Sequence, residues 1–293
     1  MHDTDTVTDP DFDSLVPGQS VGRRTFVGAA LAAGFALSVR PALGQDVIHT
    51  PADGLLAGEV RIVAPDGVAL AAYRARPAGD GPVPVVLVVQ EIFGVHEYIR
   101  DVCRRLARAG YLAIAPNLFQ RQGDPSALAS VAEIQAGIVA KVPDAQVLGD
   151  LEACAEWALT QGGDGRLGIT GFCWGGRIAW LFAARHAGLK AAVAWYGRLD
   201  GTPSANTPTH PLDVVEALQA PVLGLYGAKD QGIPVSDVEA MRERLAAAGK
   251  RGELVLYPDA GHAFHADYRP SYRAAEAADG WARLLAWFRA NGL

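Results

Sequence analysis

Residues 167–176 read LGITGFCWGG, and this sequence predicts a strand that is followed directly by a helix. It begins as an apolar strand and continues into residues that predict a helix, so Cys173 lies at the apex of a sharp strand-to-helix turn. Such a turn strains its central residue and leaves no room for side chains two positions away, which explains Gly171 and Gly175. The amino end of the following helix favours a thiolate and an oxyanion. The pattern predicts Cys173 as a nucleophile; the alternative is a buried structural cysteine in a tight turn.

The rest of the chain alternates between strand-like and helix-like segments. Residues 59–63 and 68–75 flank the turn-forming sequence Pro65-Asp66-Gly67 and predict a hairpin. Continuous apolar runs such as residues 84–89 are typical of strands buried on both faces of a parallel sheet. The alternation predicts an α/β fold with a mostly parallel sheet flanked by helices. Further strands are expected at 111–115, 167–170, 190–195, 221–226 and 254–257, and helices at 97–109, 125–141, 144–160 (with Asp144 as a candidate cap), 175–187, 236–248 and 272–290.

Two polar residues follow predicted strands at their carboxyl ends, where open α/β sheets carry their sites. Asp230 and His262 each come a few residues after an apolar run. The order nucleophile, acid, histidine along the chain is the order found in α/β-hydrolases. In this interpretation His262 takes the thiol proton and later gives it to the leaving group, while Asp230 fixes the imidazole tautomer. The alternatives that the sequence leaves open are His265 for the histidine and Asp259 for the acid.

The oxyanion of such a reaction needs two backbone donors. The N–H of Trp174, the residue after the nucleophile, is the first candidate. The second comes from the loop after the strand 84–89, where Glu91 is followed by Ile92, and the N–H of Ile92 is the candidate. Glu91 is itself unusual, because a carboxylate directly after a buried strand is either functional or the acid of a helix start.

Composition excludes several classes of function. The 293 residues include 26 basic and 32 acidic side chains, the net charge is −6, and no Lys/Arg cluster is present, so no nucleic-acid partner is expected. Histidines and cysteines lack ligand spacing, so neither a metal nor another cofactor is expected. Cys103 and Cys154 are interpreted as core residues, with a disulfide between them left open. We expect a monomer that acts on a small-molecule substrate.

Residues 1–45 are interpreted as a leader that precedes the fold. The pair Arg23-Arg24 stands just before the apolar run 27–39 and resembles a twin-arginine signal peptide. The resemblance implies that the folded protein is exported by the twin-arginine machinery and is periplasmic or secreted. The run is short for a membrane span, so stable insertion is not expected. An uncleaved anchor and a buried helix with a chance arginine pair are the alternatives. Residues 46–293 are expected to form a single domain.

Four motifs in one order resemble the dienelactone hydrolase (carboxymethylenebutenolidase) family. They are QEIFG at 90–94, GFCWGGR at 171–177, the turn that holds Asp230, and DAGH at 259–262. The resemblance covers residues 58–290 and implies an α/β-hydrolase with little or no cap. The implied activity is hydrolysis of an enol-lactone by the triad of Cys173 with its acid and histidine. By resemblance, Glu91 pairs with the resting thiol.

The same resemblance implies side chains that bind the substrate. Arg121 falls where one of two carboxylate-binding arginines is expected, and a guanidinium suits a carboxylate. The other arginine is expected four residues after the catalytic histidine, where this chain has Ala266. Tyr196 matches a tyrosine of the family's pocket.

The sequence thus predicts a hydrolase that cleaves a small activated ester or lactone through an acyl-enzyme intermediate. Two alternatives remain. One is a carboxylesterase of the same fold with broad specificity, and the other is a non-catalytic periplasmic binding protein that kept the fold.

Overall fold

A computed structural model describes residues 47–293, so the predicted leader lies outside the described residues. These residues contain strands β1 (Leu55–Val63), β2 (Ala69–Pro77), β3 (Val83–Val89), β4 (Leu112–Pro116), β5 (Gly163–Phe172), β6 (Leu189–Trp195), β7 (Val222–Gly227) and β8 (Gly252–Tyr257). Their helices are α1 (Glu97–Arg108), α2 (Val131–Gly137), α3 (Asp144–Thr160), α4 (Trp174–Arg185), α5 (Val235–Ala247) and α6 (Ala274–Ala290).

The strands form an eight-stranded sheet in the order β1-β2-β4-β3-β5-β6-β7-β8. The pairs from β4 to β8 are parallel, while β1 pairs antiparallel with β2 and β2 with β4. The predicted hairpin is therefore present, and it forms one end of the sheet. Its turn is closed by Gly67, whose N–H donates to the Ala64 carbonyl at 2.9 Å and whose φ of 84° suits glycine.

The central strands are buried on both faces, as their apolar runs predicted. Val86, Leu87, Val88 and Val89 of β3 are fully buried, and β4 and β7 are buried along their whole length. Strands of this kind need a helical layer on each side. Because the parallel strands run in one direction, the carboxyl ends of β3, β5, β7 and β8 meet at one edge of the sheet.

The predicted helix over 125–141 is wrong in part. The segment is divided into a 3-10 turn at Pro125–Ala127, the short helix α2, and a second 3-10 turn at Val139–Lys141. Side chains stop the helix from being continuous, because Asp124 and Ser130 each accept a hydrogen bond from a backbone N–H ahead of them and so start a new turn.

The cap predicted for α3 is also wrong. Pro143 occupies the N-cap position, and Asp144 is the first helical residue with no capping hydrogen bond. The carboxylate of Asp144 instead accepts two hydrogen bonds from Arg177, at 2.8 and 2.7 Å. The side chain of Asp144 therefore forms a buried ion pair between α3 and α4 and does not cap α3.

Candidate active site

The turn after β5 places Cys173 in a conformation that side chains seldom adopt. Its φ is 55° and its ψ is −117°, and its backbone N–H donates to the Trp195 carbonyl at 3.0 Å. A Cβ on Gly171 would lie 2.0 Å from the Gly175 carbonyl oxygen, and one on Gly175 would lie 2.4 Å from the Val89 carbonyl oxygen. The glycines are therefore required because backbone approaches backbone on both sides of the cysteine.

This crowding predicts a large loss of stability for Gly171→Ala. The new methyl group would meet backbone atoms of the turn, which cannot move aside as a flexible side chain can. We expect the free energy of unfolding to fall by roughly 3 kcal/mol or more, measured by urea denaturation. Gly81→Ala is the matched control, because a Cβ there meets nothing within 4 Å. Equal stability of the two variants would contradict the proposed crowding.

His262 and Asp230 form a buried pair at the same edge of the sheet. Nδ1 of His262 lies 2.7 Å from Oδ2 of Asp230, whose other oxygen accepts the Gly232 N–H at 3.0 Å. Burial lowers the pKa of His262, but the charges of Asp230 and Cys173 and its hydrogen bonds to both raise it well above its usual value. Since Nδ1 is engaged by the carboxylate, Nε2 is the ring nitrogen available to the thiol.

The two rival residues lie in other surroundings. Nδ1 of His265 is 2.6 Å from the Tyr98 hydroxyl, and burial together with the charge of Arg105 lowers its pKa well below the usual value. Asp259 is exposed and forms an ion pair with Lys229 at 2.7 Å. The structure therefore brings Cys173 together with His262 and Asp230 rather than with either rival.

A cavity of about 330 Å³ opens over the thiol. Cys173 and His262 line it, and so do Ile92 and Trp174, the predicted sources of the oxyanion donors. The N–H of Trp174 belongs to the first residue of α4 and therefore has no acceptor within the helix. Tyr196 also lines the cavity, with its ring 5.1 Å from that of His262.

The resting partner of Glu91 differs from the one that the family resemblance implied. The Tyr268 hydroxyl donates to Oε2 of Glu91 at 2.7 Å, and Nε2 of His96 lies 3.7 Å from the same oxygen. Burial raises the pKa of Glu91, but the nearby imidazole of His96, the Tyr268 hydrogen bond and the charge of Arg269 together bring it below the usual value. Within residues 47–293 the carboxylate of Glu91 thus accepts its hydrogen bond from Tyr268. The thiol of Cys173 interacts with the imidazole of His262.

Removal of the Tyr268 hydroxyl should weaken the fold in a pH-dependent way. The native pKa of Glu91 lies below its unfolded value of about 4.3, so its carboxylate stabilises the fold above that pH and loses the contribution as the pH falls toward the native pKa. In Tyr268→Phe we expect a loss of about 1–3 kcal/mol at neutral pH and a shallower decline in acid, measured by urea unfolding across pH.

Tyr272→Phe serves as the control for that measurement. Tyr272 lies four residues further along the same loop and is only half-buried. Its replacement should leave the acid dependence of stability as it is in the wild type. A parallel change in both variants would show that Tyr268 does not hold Glu91.

The interpretation of Arg121 as a substrate-binding residue needs correction. Its guanidinium donates two hydrogen bonds to Asp66 and two to Asp150, at 2.7 to 3.0 Å. These bonds fill the fork of the guanidinium, and the bond from Arg121 lowers the pKa of Asp66 to about 2. Arg121 joins the hairpin turn to α3, and the cavity over Cys173 is lined by other residues.

Several residues that sequence reasoning gave no role lie at the site. Arg177, Arg198 and His210 line the cavity, Tyr268 holds Glu91 through a hydrogen bond, and His96 lies beside the same carboxylate. A partial signal was available, because the loop 197–211 follows the carboxyl end of β6, where sites are expected. Cys103 and Cys154 are free and buried, and burial raises the pKa of both thiols.

The described residues, 47–293, contain neither a candidate metal centre nor a candidate membrane span. No group of three or more histidine, cysteine, aspartate or glutamate side chains in this part of the chain could hold a metal ion. None of its helices has the length and apolar character that crossing a membrane requires.

The eight-stranded sheet, with the strained turn at Cys173 and its helical layers, defines an α/β-hydrolase fold. The profile described as "Dienelactone hydrolase family" matches residues 70–292. The chain belongs to the dienelactone hydrolase family and is a hydrolase.

Individual relatives agree with this assignment. A protein of Methylorubrum extorquens named "Putative carboxymethylenebutenolidase" is 57% identical, over 98% of this chain and 99% of its own length. A protein of Escherichia coli with the same name is 57% identical, over 88% of this chain and 96% of its own. The crystal structure of a "Putative Dienelactone Hydrolase" from Klebsiella pneumoniae is 59% identical with a TM-score of 0.79, and the match covers 80% of this chain and 98% of that one.

Proposed function

We propose that the protein hydrolyses a small activated carboxylic ester or lactone through Cys173, His262 and Asp230. The observation that carries the proposal is the 2.7 Å pair of His262 and Asp230 beside a cysteine held at a strained turn. A thiol next to an imidazole whose pKa is raised favours a thiolate–imidazolium pair. The cavity over the thiol provides space for an acyl group of a few carbons.

The proposed reaction has two halves. The thiolate of Cys173 attacks the carbonyl carbon, a sulfur–carbon bond forms, and the carbonyl oxygen takes the negative charge against the N–H groups of Ile92 and Trp174. The carbon–oxygen bond to the leaving group then breaks, and that oxygen takes the proton of His262. Water attacks the resulting thioester while His262 accepts one water proton, and the carboxylic acid leaves with the thiolate restored.

The preferred substrate is proposed to be an enol ester or enol-lactone. A thiolate is a good leaving group, so the first intermediate goes forward only when the alcohol part leaves at least as readily as the thiolate returns. An enolate meets this condition, and a peptide nitrogen does not. The names of the relatives, carboxymethylenebutenolidase and dienelactone hydrolase, support the same class.

The proposal is tested with p-nitrophenyl acetate and dienelactone as substrates, with and without prior iodoacetamide. Mass spectrometry locates the alkylated cysteine. Loss of hydrolysis in step with alkylation of Cys173 supports the thiol mechanism, and the ratio of the two rates gives the preference for the lactone. Turnover that survives full alkylation of Cys173 contradicts it. Tight binding of dienelactone without product favours the binding-protein alternative.

We also propose that residues 1–45 direct export and that residues 46–293 are the mature, monomeric domain in the periplasm. Support comes from the Arg23-Arg24 pair before the apolar run 27–39. The relative from Methylorubrum extorquens aligns over 98% of this chain, which includes most of this leader. Intact mass of the protein from a periplasmic fraction tests the cleavage and the location, and size-exclusion chromatography tests the monomeric state. A mature form that begins near Gln45 supports them, and a full-length cytoplasmic form contradicts them.

A further inference from the structure

The cavity over Cys173 is bordered by two segments that are distant in the chain. The loop 197–211, which follows β6, contributes Arg198, Thr202, Ser204, Thr207 and His210. The segment 135–144, which runs from the last turn of α2 to the first residue of α3, contributes Gln135, Val139 and Ala140. The space that is open to a substrate therefore depends on how closely the loop and this segment approach each other.

The tip of the loop is a compact turn formed by residues 204–207, called here the tip turn. The Ser204 N–H donates to the Thr207 carbonyl at 2.9 Å, and the Thr207 N–H donates to Oγ of Ser204 at 3.1 Å. The two hydroxyl groups share a further hydrogen bond of 2.7 Å. Pro203 and Pro208 flank the turn, and the ring of each proline fixes its φ. Because its polar groups bond to one another, the tip turn should move as one unit.

Asn206 joins the tip turn to the segment 135–144. Its side-chain Nδ2 donates to the Ala140 carbonyl at 2.9 Å, and its own carbonyl accepts the Asp144 N–H at 2.8 Å. Ala140 lines the cavity, and Asp144 begins α3. The two bonds of Asn206 therefore hold the loop against the segment at the border of the cavity.

The base of the loop is anchored more firmly than its tip. Arg177 donates to the Thr209 carbonyl at 2.6 Å and is paired with Asp144, and both members of this ion pair are buried. The side-chain bond of Asn206 lies at the surface, because Ala140 is exposed and Asn206 is only half-buried. A hydrogen bond in contact with water contributes less than a buried one. The tip turn can therefore separate from the segment 135–144 while the buried ion pair keeps the base in place.

We propose that Asn206 determines the size of the substrate that reaches Cys173, because it holds the tip turn against the segment 135–144. This inference rests on the proposed function, and it names the residue that limits the substrates of that reaction. With both bonds of Asn206 formed, the cavity measures about 330 Å³, which is small for a ligand pocket. A short acyl group fits this space, whereas a long one requires the tip turn to move away.

The test compares p-nitrophenyl acetate with p-nitrophenyl octanoate, which differ only in the length of the acyl chain. For the wild type we expect the acetate to have the higher kcat/KM. Asn206→Ala removes the bond to Ala140, so the ratio of kcat/KM for the octanoate to that for the acetate should rise about fivefold. Asn206→Asp should raise this ratio further, because a carboxylate of the same size cannot donate and is repelled by the Ala140 carbonyl.

Asn291→Ala is the matched control for these variants. Asn291 is half-buried like Asn206, and its Nδ2 likewise donates to a backbone carbonyl, that of Trp287, at 2.8 Å. It follows the last residue of α6 and is not among the residues that line the cavity. Its replacement should therefore preserve the wild-type ratio of the two esters.

A second measurement does not require turnover. Cys173 is alkylated with iodoacetamide and with the bulkier N-(1-pyrenyl)maleimide, and mass spectrometry locates the modified thiol. In Asn206→Ala the rate with the maleimide should rise about fivefold relative to the rate with iodoacetamide. Such a rise without hydrolysis of either ester would support the role of Asn206 and contradict the proposed function. Unchanged alkylation ratios in both Asn206 variants, or a wild-type preference for the octanoate, would overturn the inference.

Discussion

Replacement of Cys173 by alanine is expected to lower kcat for ester hydrolysis by at least about 10⁴-fold. In the proposed mechanism the sulfur forms the only covalent bond to the acyl group, and no described hydroxyl replaces it at the turn. The remaining N–H donors and the cavity still bind the substrate, so KM should change little. Steady-state kinetics with p-nitrophenyl acetate measure both quantities, and circular dichroism shows whether the fold is retained.

The matched control for this variant is Cys154→Ala. Cys154 is fully buried on α3, and its sulfur lies in the core rather than at the cavity. We expect the Cys154 variant to retain turnover with a modest loss of stability. Near-normal turnover in a folded Cys173→Ala protein would contradict the thiol mechanism.

The second large effect is expected for Asp230→Asn, with kcat reduced about 10³- to 10⁴-fold. An amide in place of the carboxylate can donate to Nδ1 of His262, and this favours the tautomer whose Nε2 carries the proton and cannot accept one from the thiol. The charge of Asp230 also raises the pKa of His262, so its removal lowers that pKa. The thiolate–imidazolium pair should then be lost at a lower pH than in the wild type.

The free energy of unfolding should also depend on the protonation of His262. A histidine whose native pKa is raised stabilises the fold fully below its unfolded pKa of about 6.5, and loses that contribution as the pH rises through the native value. Asp230→Asn should therefore reduce the dependence of stability on alkaline pH, and it should slow alkylation of Cys173 by iodoacetamide near pH 6. Asp259→Asn is the control, because Asp259 is exposed and pairs with Lys229. Similar kinetics for both variants would show that Asp230 is not the acid of the triad.

The fold, and the meeting of Cys173, Asp230 and His262 at one edge of the sheet, could be predicted because their signals are local. Each strand is a short apolar run, and Cys173, Asp230 and His262 each follow one within a few residues. The crowding that makes Gly171 necessary also acts within the turn itself. Such features depend on neighbours in the chain, so the sequence contains most of the information about them.

The contacts that sequence reasoning missed join distant parts of the chain. Glu91 and Tyr268 are 177 positions apart, and no periodicity links them. The environment of Arg121 depends on Asp66 and Asp150, which lie in a hairpin turn and in a helix. A guanidinium suits a carboxylate, so a carboxylate-binding role was a reasonable hypothesis for Arg121. Only the packing shows that its partners are carboxylates of the protein itself.

The three residues of the proposed triad follow three different strands, β5, β7 and β8, of one parallel sheet. During synthesis the cysteine is made long before the histidine, and the pairing of β8 joins the last of them to the others. Parallel strands pair over long sequence separations, which makes such assembly slow. A partly folded chain therefore holds an inactive thiol, and enzymatic activity should appear only when the final strand has joined the sheet.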